Sequence, residues 1–517
     1  MEGPEFPPVN IASRSSNRPR HAVIAIAVVV VVGLLLYWAA LAALKGVIAS
    51  VGTNMLRREF ASDVRFQKMD ISVFPRVHVV AYGVSIGNDV SHPLIEASQA
   101  DARCGWIPWQ VRTVILEGLQ VRIPVASAPP PTNANPHPAI TVDEVFASRA
   151  SVELPALHFD LRDLHVSNFT PNSPAAFAAT LNNSEPRAEV QISGKLGPWN
   201  ATDPGRTPVE GKYNLARSDL ATLPGLRGIV SSQGRFNGVL LNATISGDAH
   251  VDGFGISTSG HAEAVRASFQ AVLDGSDGSA SVDRITGALE QSPFVGSGSV
   301  HDLQDDRRRQ IALQVSMAHG RLEDLLPLGV TSKVSPLTGP LSVQAKVEIP
   351  PGEQDLLSRL HLSASFSADG ARFASWNLRE RLRSLSRKAE GEPNNDAAGS
   401  SISSMQGEVR LDRGVAHFSS LAIELEGASA KLEGSYQLAN EQLDLHGDVW
   451  MEAKVSQTAT GPKALLLKLA DPFFKSKHGG SHVPIKITGT RSDPKFAVDM
   501  ARKATASLDS RAVLFSH

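Results

Sequence analysis

The chain contains almost no cysteine. Cys104 is the only one in 517 residues, so no internal disulfide can form. Zinc and iron–sulfur centres held by thiolates are excluded as well, because they need two or more cysteines at fixed spacing. No neighbouring group in the sequence would activate Cys104 as a nucleophile, and we expect it to be a small buried side chain.

An excess of charge of one sign is also missing. The chain has 50 Lys and Arg against 52 Asp and Glu, which gives a formal net charge of -2 and a pI of about 6.8. Proteins that bind phosphate backbones depend on a basic excess. The composition therefore argues against nucleic acid as a partner.

The chain offers little that resembles an active site. The phosphate-binding patterns GxGxxG and GxxxxGK[ST] are absent, and the strand–helix alternation of a parallel α/β enzyme is absent too. His478 and His482 are four residues apart, but glycines separate them and no third ligand is near, so we expect a solvated loop. We predict no enzymatic activity, no catalytic residue, no cofactor and no metal.

Only one long apolar run occurs. Residues 22–44 are 23 residues without a charge, and a helix of that length extends about 34 Å, enough to cross a bilayer. We predict a transmembrane helix at 22–44 after a disordered tail at 1–21; a cleaved secretory signal is the alternative. Three basic residues lie close to each end, so local charge does not orient the span.

Most of the remaining chain alternates apolar and polar residues in short runs, which is typical of half-buried strands. The clearest run is Leu341 to Ile349, in which Val343, Ala345 and Val347 share one face. Turn residues separate the runs, as at Asp369-Gly370, Asp412-Arg413-Gly414 and 274–278. We predict a mainly β protein in which successive strands are antiparallel neighbours.

Two polar stretches divide the chain into blocks. We predict an N-terminal module at 45–125, a proline-rich linker at 126–140, a β-rich region at 141–500 with a flexible stretch at 391–404, and a tail at 501–517. Two helices are predicted, at 377–389 and at 462–470. The apolar arc of the second is wide, which makes Leu466, Leu469 and Phe473 candidates for membrane contact.

Several segments together resemble the AsmA family of membrane-anchored bacterial envelope proteins. The N-terminal module is similar in ISVFP (71–75), PLIEA (93–97) and ILEGLQVRIP (115–124). The region from about 228 to 500 is similar to the AsmA-like C-terminal domain in GIVSSQGRFNG (228–238), GRLEDLL (320–326), GSYQL (434–438) and VPIKITGT (483–490). Each motif is short, and their order along the chain carries the resemblance.

The resemblance implies a long antiparallel sheet, curved into an open groove with an apolar inner face. It also implies one anchor in the inner membrane and a chain that lies mostly in the periplasm. The expected function is binding or transfer of phospholipid or another membrane lipid in cell-envelope homeostasis, with outer-membrane components as further partners. Val343, Ala345 and Val347 are then candidates for contact with acyl chains.

Two alternatives stay open from the residues alone. An interaction protein that assists outer-membrane protein assembly could capture client strands at exposed sheet edges. Alternation also does not separate a groove from a two-sheet sandwich, because it only defines which face is apolar. Aromatic residues make up 6% of the chain, which leaves few large side chains to fill an interior and favours the groove.

Overall fold

The computed structural model describes residues 43–74, 76–105, 110–124, 141–170, 172–184, 187–256, 261–303, 308–330, 335–352, 354, 356–374, 401–452 and 481–499. Most of the predicted span, the linker at 126–140, the helix at 377–389 and the helix at 462–470 lie outside these residues. Among the residues described, no helix combines the length and the apolarity needed to cross a membrane.

The described residues form a mainly β protein in which 26 strands belong to one sheet. The N-terminal strands are β1 (Val64–Arg65), β2 (Lys68–Ser72), β3 (His78–Ile86), β4 (Ile95–Cys104), β5 (Gln110–Glu117), β6 (Gln120–Arg122), β7 (Thr141–Glu153), β8 (His158–Phe169) and β9 (Ala175–Ser184). The central strands are β10 (Arg187–Leu196), β11 (Pro208–Asp219), β12 (Leu226–Val239), β13 (Asn242–Ile256), β14 (Glu263–Asp274), β15 (Ala280–Leu289), β16 (Ser292–Leu303), β17 (Arg308–Arg321) and β18 (Leu337–Thr338). The C-terminal strands are β19 (Pro340–Ile349), β20 (His361–Phe373), β21 (Ser401–Asp412), β22 (Val415–Leu425), β23 (Ala428–Gln437), β24 (Gln442–Met451), β25 (Ser481–Thr490) and β26 (Asp493–Val498).

The sheet is a long antiparallel meander with one parallel step. From β7 to β17 and from β19 to β26, each strand pairs antiparallel with the next one, and β17 pairs with β19. β5 and β6 instead pair parallel with β7. Our expectation of antiparallel neighbours is wrong at this step, because the connection from β6 to β7 is long and a parallel pair needs a long crossover rather than a hairpin.

The strands run through the boundaries between the predicted blocks. β7 joins the N-terminal strands to the central ones through the parallel pairs, and β20 pairs with β21 across the predicted flexible stretch. β21 begins at Ser401, inside that stretch. The described blocks therefore contribute to a single sheet, which is curved, and not to two sheets of a sandwich.

The predicted alternation is confirmed in β19, where apolar residues at odd positions from 341 to 349 are less exposed than the polar residues between them. Asp412-Arg413-Gly414 forms the expected hairpin, with positive φ at Arg413 and Gly414. The turn expected at Asp369-Gly370 is wrong. β20 continues through both residues, and Gly370, at φ +66°, lies between the pairs Asp369–Ser404 and Ala371–Ile402 without a shift of register.

Helical segments are short except at the N-terminal end. Residues 43–59 form helix α1. The others are η1 (Pro204–Arg206), η2 (Leu220–Thr222), α2 (Leu322–Leu325), η3 (Leu326–Gly329) and α3 (Leu356–Arg359). Phe60, directly after α1, meets Trp199 edge-on at 5.9 Å between ring centroids, so this end of α1 packs at the connection between β10 and β11.

The curvature brings together turns that are far apart in the strand order. The amide of Ala156, between β7 and β8, donates to the carbonyl of Gly275, between β14 and β15, at 3.3 Å. The Leu154 side chain also packs close to Gly275. Seven strands separate these turns in the meander, so a flat sheet would hold them far apart.

Candidate functional site: the apolar face of the sheet

Register places the three candidate groove residues in an apolar patch that crosses three strands. Val343 pairs with Met317 on β17 and Phe366 on β20, and Val347 pairs with Leu313 and Leu362 in the same way. Ala345 lies between them, opposite Val315 and Ala364. Because directly opposed residues point to the same side of a sheet, these nine side chains form one apolar surface.

The same face continues along the sheet in both directions. Toward the N-terminus it includes the pairs Leu313–Gly298, Gly296–Ile285, Ile285–Phe269, Ile192–Ala179 and Leu164–Ala147. Toward the C-terminus it includes Leu411–Ala416, Ile423–Ala430, Val449–Val483 and Ile487–Phe496. The apolar face therefore extends from β7 to β26, on the order of 100 Å at about 4.8 Å per strand.

Glycines on this face allow neighbouring strands to approach unusually closely. A Cβ on Gly407 would lie 2.7 Å from the carbonyl oxygen of Ser420, and one on Gly447 would overlap the carbonyl of Lys431. Equivalent contacts with a neighbouring carbonyl would occur at Gly194, Gly211, Gly234, Gly247, Gly287, Gly296, Gly298 and Gly434. The neighbouring strand thus rises toward the apolar side at each position, and a side chain would hold it away.

Aromatic rings lie over several of these glycines. The Phe366 ring covers Gly407, where a Cβ would meet Cζ at 3.0 Å, and the Phe294 ring covers Gly287 at 2.7 Å. Such cross-strand pairs compensate for the missing side chain of the glycine. They also lay the rings along the surface, so that the apolar face is not blocked by upright side chains.

Part of the apolar face is covered by α2 and η3. Leu322, at 2% exposure, belongs to a buried cluster with Leu341, Ala368, Ala371 and Ile402. Val343, Phe366, Met405, Leu325 and Leu326 pack against this cluster. Of the three candidates, Val343 therefore contributes to packing under α2, whereas Ala345 and Val347 lie farther along the strand.

Buried polar contacts hold α2 in place. The Asp324 carboxylate accepts from the Ser292 hydroxyl at 2.7 Å and from the amide of Gln291 at 3.1 Å. Ser292 is fully buried, and its hydroxyl oxygen accepts from the amide of Arg321 at 2.9 Å. Because each of these groups is paired, the segment can be buried without an unsatisfied polar atom in this network.

Two carboxyl groups, Glu323 in α2 and Glu263 near it, have pKa values shifted in opposite directions. Burial, with the nearby Glu290 and Asp324 carboxylates, raises the pKa of Glu263, although His261 opposes the shift. The pKa of Glu323 is lowered: burial alone would raise it, but hydrogen bonds from the Gly339 amide and from Arg321 outweigh that effect. The protonation of these two carboxyl groups therefore depends on the packing and hydrogen bonds around α2.

Other candidates from the sequence are placed as follows. Leu466, Leu469 and Phe473 lie outside the described residues. Ala345 also borders a depression on the opposite, polar face, whereas Val343 and Val347 do not.

Cys104 is buried, as expected, and burial raises the pKa of its thiol. His482 belongs to strand β25 and not to a loop, and its Nε2 lies 2.9 Å from Asp448.

Two specific chemical arrangements, a metal cluster and a serine-hydrolase elbow, are absent from the described residues. No group of three or more His, Cys, Asp or Glu side chains there is arranged to hold a metal ion. The string Gly83-Val84-Ser85-Ile86-Gly87 matches the GxSxG pattern, but β3 runs through it to Ile86 and no helix follows. Ser85 pairs with Arg65 and Glu96 within the sheet, so the strand–turn–helix elbow of a serine hydrolase is not formed.

Sequence reasoning missed the glycines and the cover formed by α2 and η3. The sequence did contain a signal for the close approach of strands at glycines, since Gly194, Gly247 and Gly407 occupy positions of alternating strands where an apolar side chain is expected. The signal for the cover was the run Leu322, Leu325 and Leu326, which belongs to the GRLEDLL segment at 320–326.

Comparison of the chain with known protein families, with curated proteins and with solved structures finds no match.

Proposed function

We propose that this chain is an AsmA-like protein, anchored in the inner membrane of the cell envelope, that binds or helps to transfer membrane lipids. The observation that carries the proposal is the apolar face that continues from β7 to β26 and that α2 and η3 cover only in part. An apolar surface of this extent is costly to leave in water, at about 25 cal/mol per Å². Acyl chains would cover this surface without directional contacts, so the surface would accept acyl chains of different types.

The glycines and flat aromatic rings support this use of the face. They bend the sheet toward its apolar side and leave a smooth surface, which suits a flexible chain lying across many strands. The span at 22–44 and the resemblance to the AsmA family support the membrane anchor and a periplasmic location.

The test is lipid bound to gently extracted protein, identified by mass spectrometry. The variant Val347→Asp should lose most of the bound lipid, because a carboxylate on the apolar face cannot be solvated beneath an acyl chain. Val347 is preferable to Val343, since Val343 supports the packing of α2 and its replacement would disturb folding.

Lys346→Asp is the matched control. It introduces the same carboxylate one residue away on β19, where the side chain points to the polar face. The control should retain lipid. Protein that carries no lipid, or equal loss of lipid in both variants at an unchanged melting temperature, would contradict the proposal.

The last strand supports a second candidate, assistance in outer-membrane protein assembly. Among the described residues β26 pairs only with β25, and Phe496 and Val498 are 66% and 46% exposed on the apolar face. A client strand could add to this edge through its backbone. Crosslinking from a photoreactive residue at position 496 would recover an unfolded outer-membrane protein in this case, and lipid in the first.

A further inference from the structure

An exposed aromatic residue lies on the polar face of the sheet, where the alternation would place a polar one. Phe146 on β7 is 43% exposed and is directly opposite His165 on β8. The two rings are parallel within 1° and 4.6 Å apart between centroids. The Glu144 carboxylate, two residues before Phe146, pairs with Nε2 of His165 and holds the imidazole in this orientation.

The same arrangement occurs a second time near the other end of the sheet. Trp450 on β24 is opposite His482 on β25, and their rings are stacked at 5.3 Å and 15°. Asp448, two residues before Trp450, lies 2.9 Å from Nε2 of His482. Both sites thus combine an aromatic residue, a stacked histidine opposite it, and a carboxylate that orients the histidine.

The surroundings of the first site are balanced in charge. Phe146 and His165 border a depression of about 1300 Å³ that crosses the polar face from β5 to β14. Its charged side chains include Asp163 and Asp248 against Lys212 and Arg235. Apolar residues such as Ile115 and Ala178 line it together with amides and hydroxyls, among them Gln191, Asn214, Gln233, Thr180, Ser193 and Ser246.

We propose that these two aromatic–histidine pairs are stacking platforms for the sugar rings of an uncharged polysaccharide. A pyranose ring presents a C–H face, which an aromatic plane can cover, and a rim of hydroxyls, which amides and hydroxyls can hydrogen-bond. The balanced charges offer no complementarity to a polyanion. This inference is independent of the proposed lipid function, because the platforms lie on the opposite face of the sheet.

The extent of the depression points to a polymer and not to the headgroup of a glycolipid. It crosses nine strands, about 38 Å at 4.8 Å per strand, which is many times the width of one sugar. An extended chain that crosses the strands can place one ring on the Phe146 platform and its neighbours along the amides and hydroxyls.

The probes are soluble hexasaccharides of N-acetylglucosamine and of glucose, titrated into the full-length protein by calorimetry. Saturation-transfer NMR should show contact between sugar C–H protons and aromatic side chains. The variant Phe146→Ala with Trp450→Ala should bind at least about tenfold more weakly, the usual consequence of removing an aromatic anchor. Phe146→Tyr with Trp450→Phe keeps both planes and should bind as the unchanged protein does.

Val295→Ala is the matched control, because Val295 is an exposed apolar residue on the polar face away from both platforms. It should leave sugar binding unchanged, and lipid content should be unchanged in every variant. The proposal is overturned if neither hexasaccharide binds at millimolar concentration, or if the double alanine variant binds as tightly as Val295→Ala. Binding only to glycolipid vesicles, and not to free sugar, would overturn the assignment to a polysaccharide.

Discussion

Single glycines decide how closely the strands approach on the apolar face. Gly447 lies between Leu432 on β23 and Ile485 on β25, and a Cβ there would overlap the carbonyl of Lys431. A residue with a side chain would have to push the neighbouring strand outward and disturb its ladder of hydrogen bonds. The cost of a substitution therefore comes from the backbone contact and not from helix or strand propensity.

Gly447→Ala should lower the thermal midpoint, with a cost of about 1–3 kcal/mol for an overpacked site. Gly329→Ala is the control, because nothing lies within 4 Å of a Cβ added at Gly329. Calorimetry on both variants measures the difference. An equal midpoint for the two variants would show that the strands are not held at this distance.

Glu263 gives a prediction on pH. Its pKa is raised in the folded chain by burial, then by Glu290 and Asp324, so the folded state holds the proton more tightly than the unfolded state. Stability therefore falls as the pH rises above the usual value of 4.5, because folding then requires a partly buried carboxylate. Glu263→Gln removes this cost.

The variant should melt at a higher temperature than the unchanged protein at pH 7, and the difference should vanish at pH values below the usual pKa. Melting curves at several pH values test this, with the exposed Glu210→Gln as the control. A difference that persists in acid would assign the effect to packing instead of protonation.

At the scale of elements, the α2 and η3 segment carries more packing than its length suggests. Leu322 is 2% exposed among residues from β19, β20 and β21, while Asp324 and Glu323 secure the same segment through Ser292 and Gly339. The segment thus buries part of an apolar face that would otherwise meet water or a ligand.

Leu322→Ala should cost about 2–5 kcal/mol and should increase hydrogen exchange at residues 322–329 first, because this is the covering layer. Exchange mass spectrometry measures the effect by segment. Val90→Ala is the control, since Val90 is among the most exposed apolar side chains. Equal exchange in the two variants would show that α2 does not depend on this contact.

At the scale of the whole molecule, the proposed function requires that the sheet lie on the periplasmic side of the inner membrane. Alkaline phosphatase fused after His517 should therefore be active, because the enzyme needs an oxidising compartment to form its disulfides. The matching fusion before residue 22 should be inactive. An active cytoplasmic reporter after His517 would contradict the topology and with it the proposed lipid function.

Strand positions and the apolar face could be predicted from the sequence because period-two alternation is a local property. The run from Leu341 to Ile349 coincides with β19. The continuation of β20 through Asp369-Gly370 could not be predicted, since Asp-Gly also suits a hairpin, and only the pairing of β20 with β21 shows that the strand does not turn there.

The sequence by itself determined that the chain is mainly β, that one face of its strands is apolar, and that Cys104 is buried, because these depend on residue type and spacing. Tertiary structure alone decided that one sheet holds all the described strands, that β5 and β6 join β7 in parallel, and that α2 covers the apolar cluster. Each of these depends on contacts between residues far apart in the chain. Local alternation carries no information about which strand becomes the neighbour, and curvature arises only when glycines from many strands align.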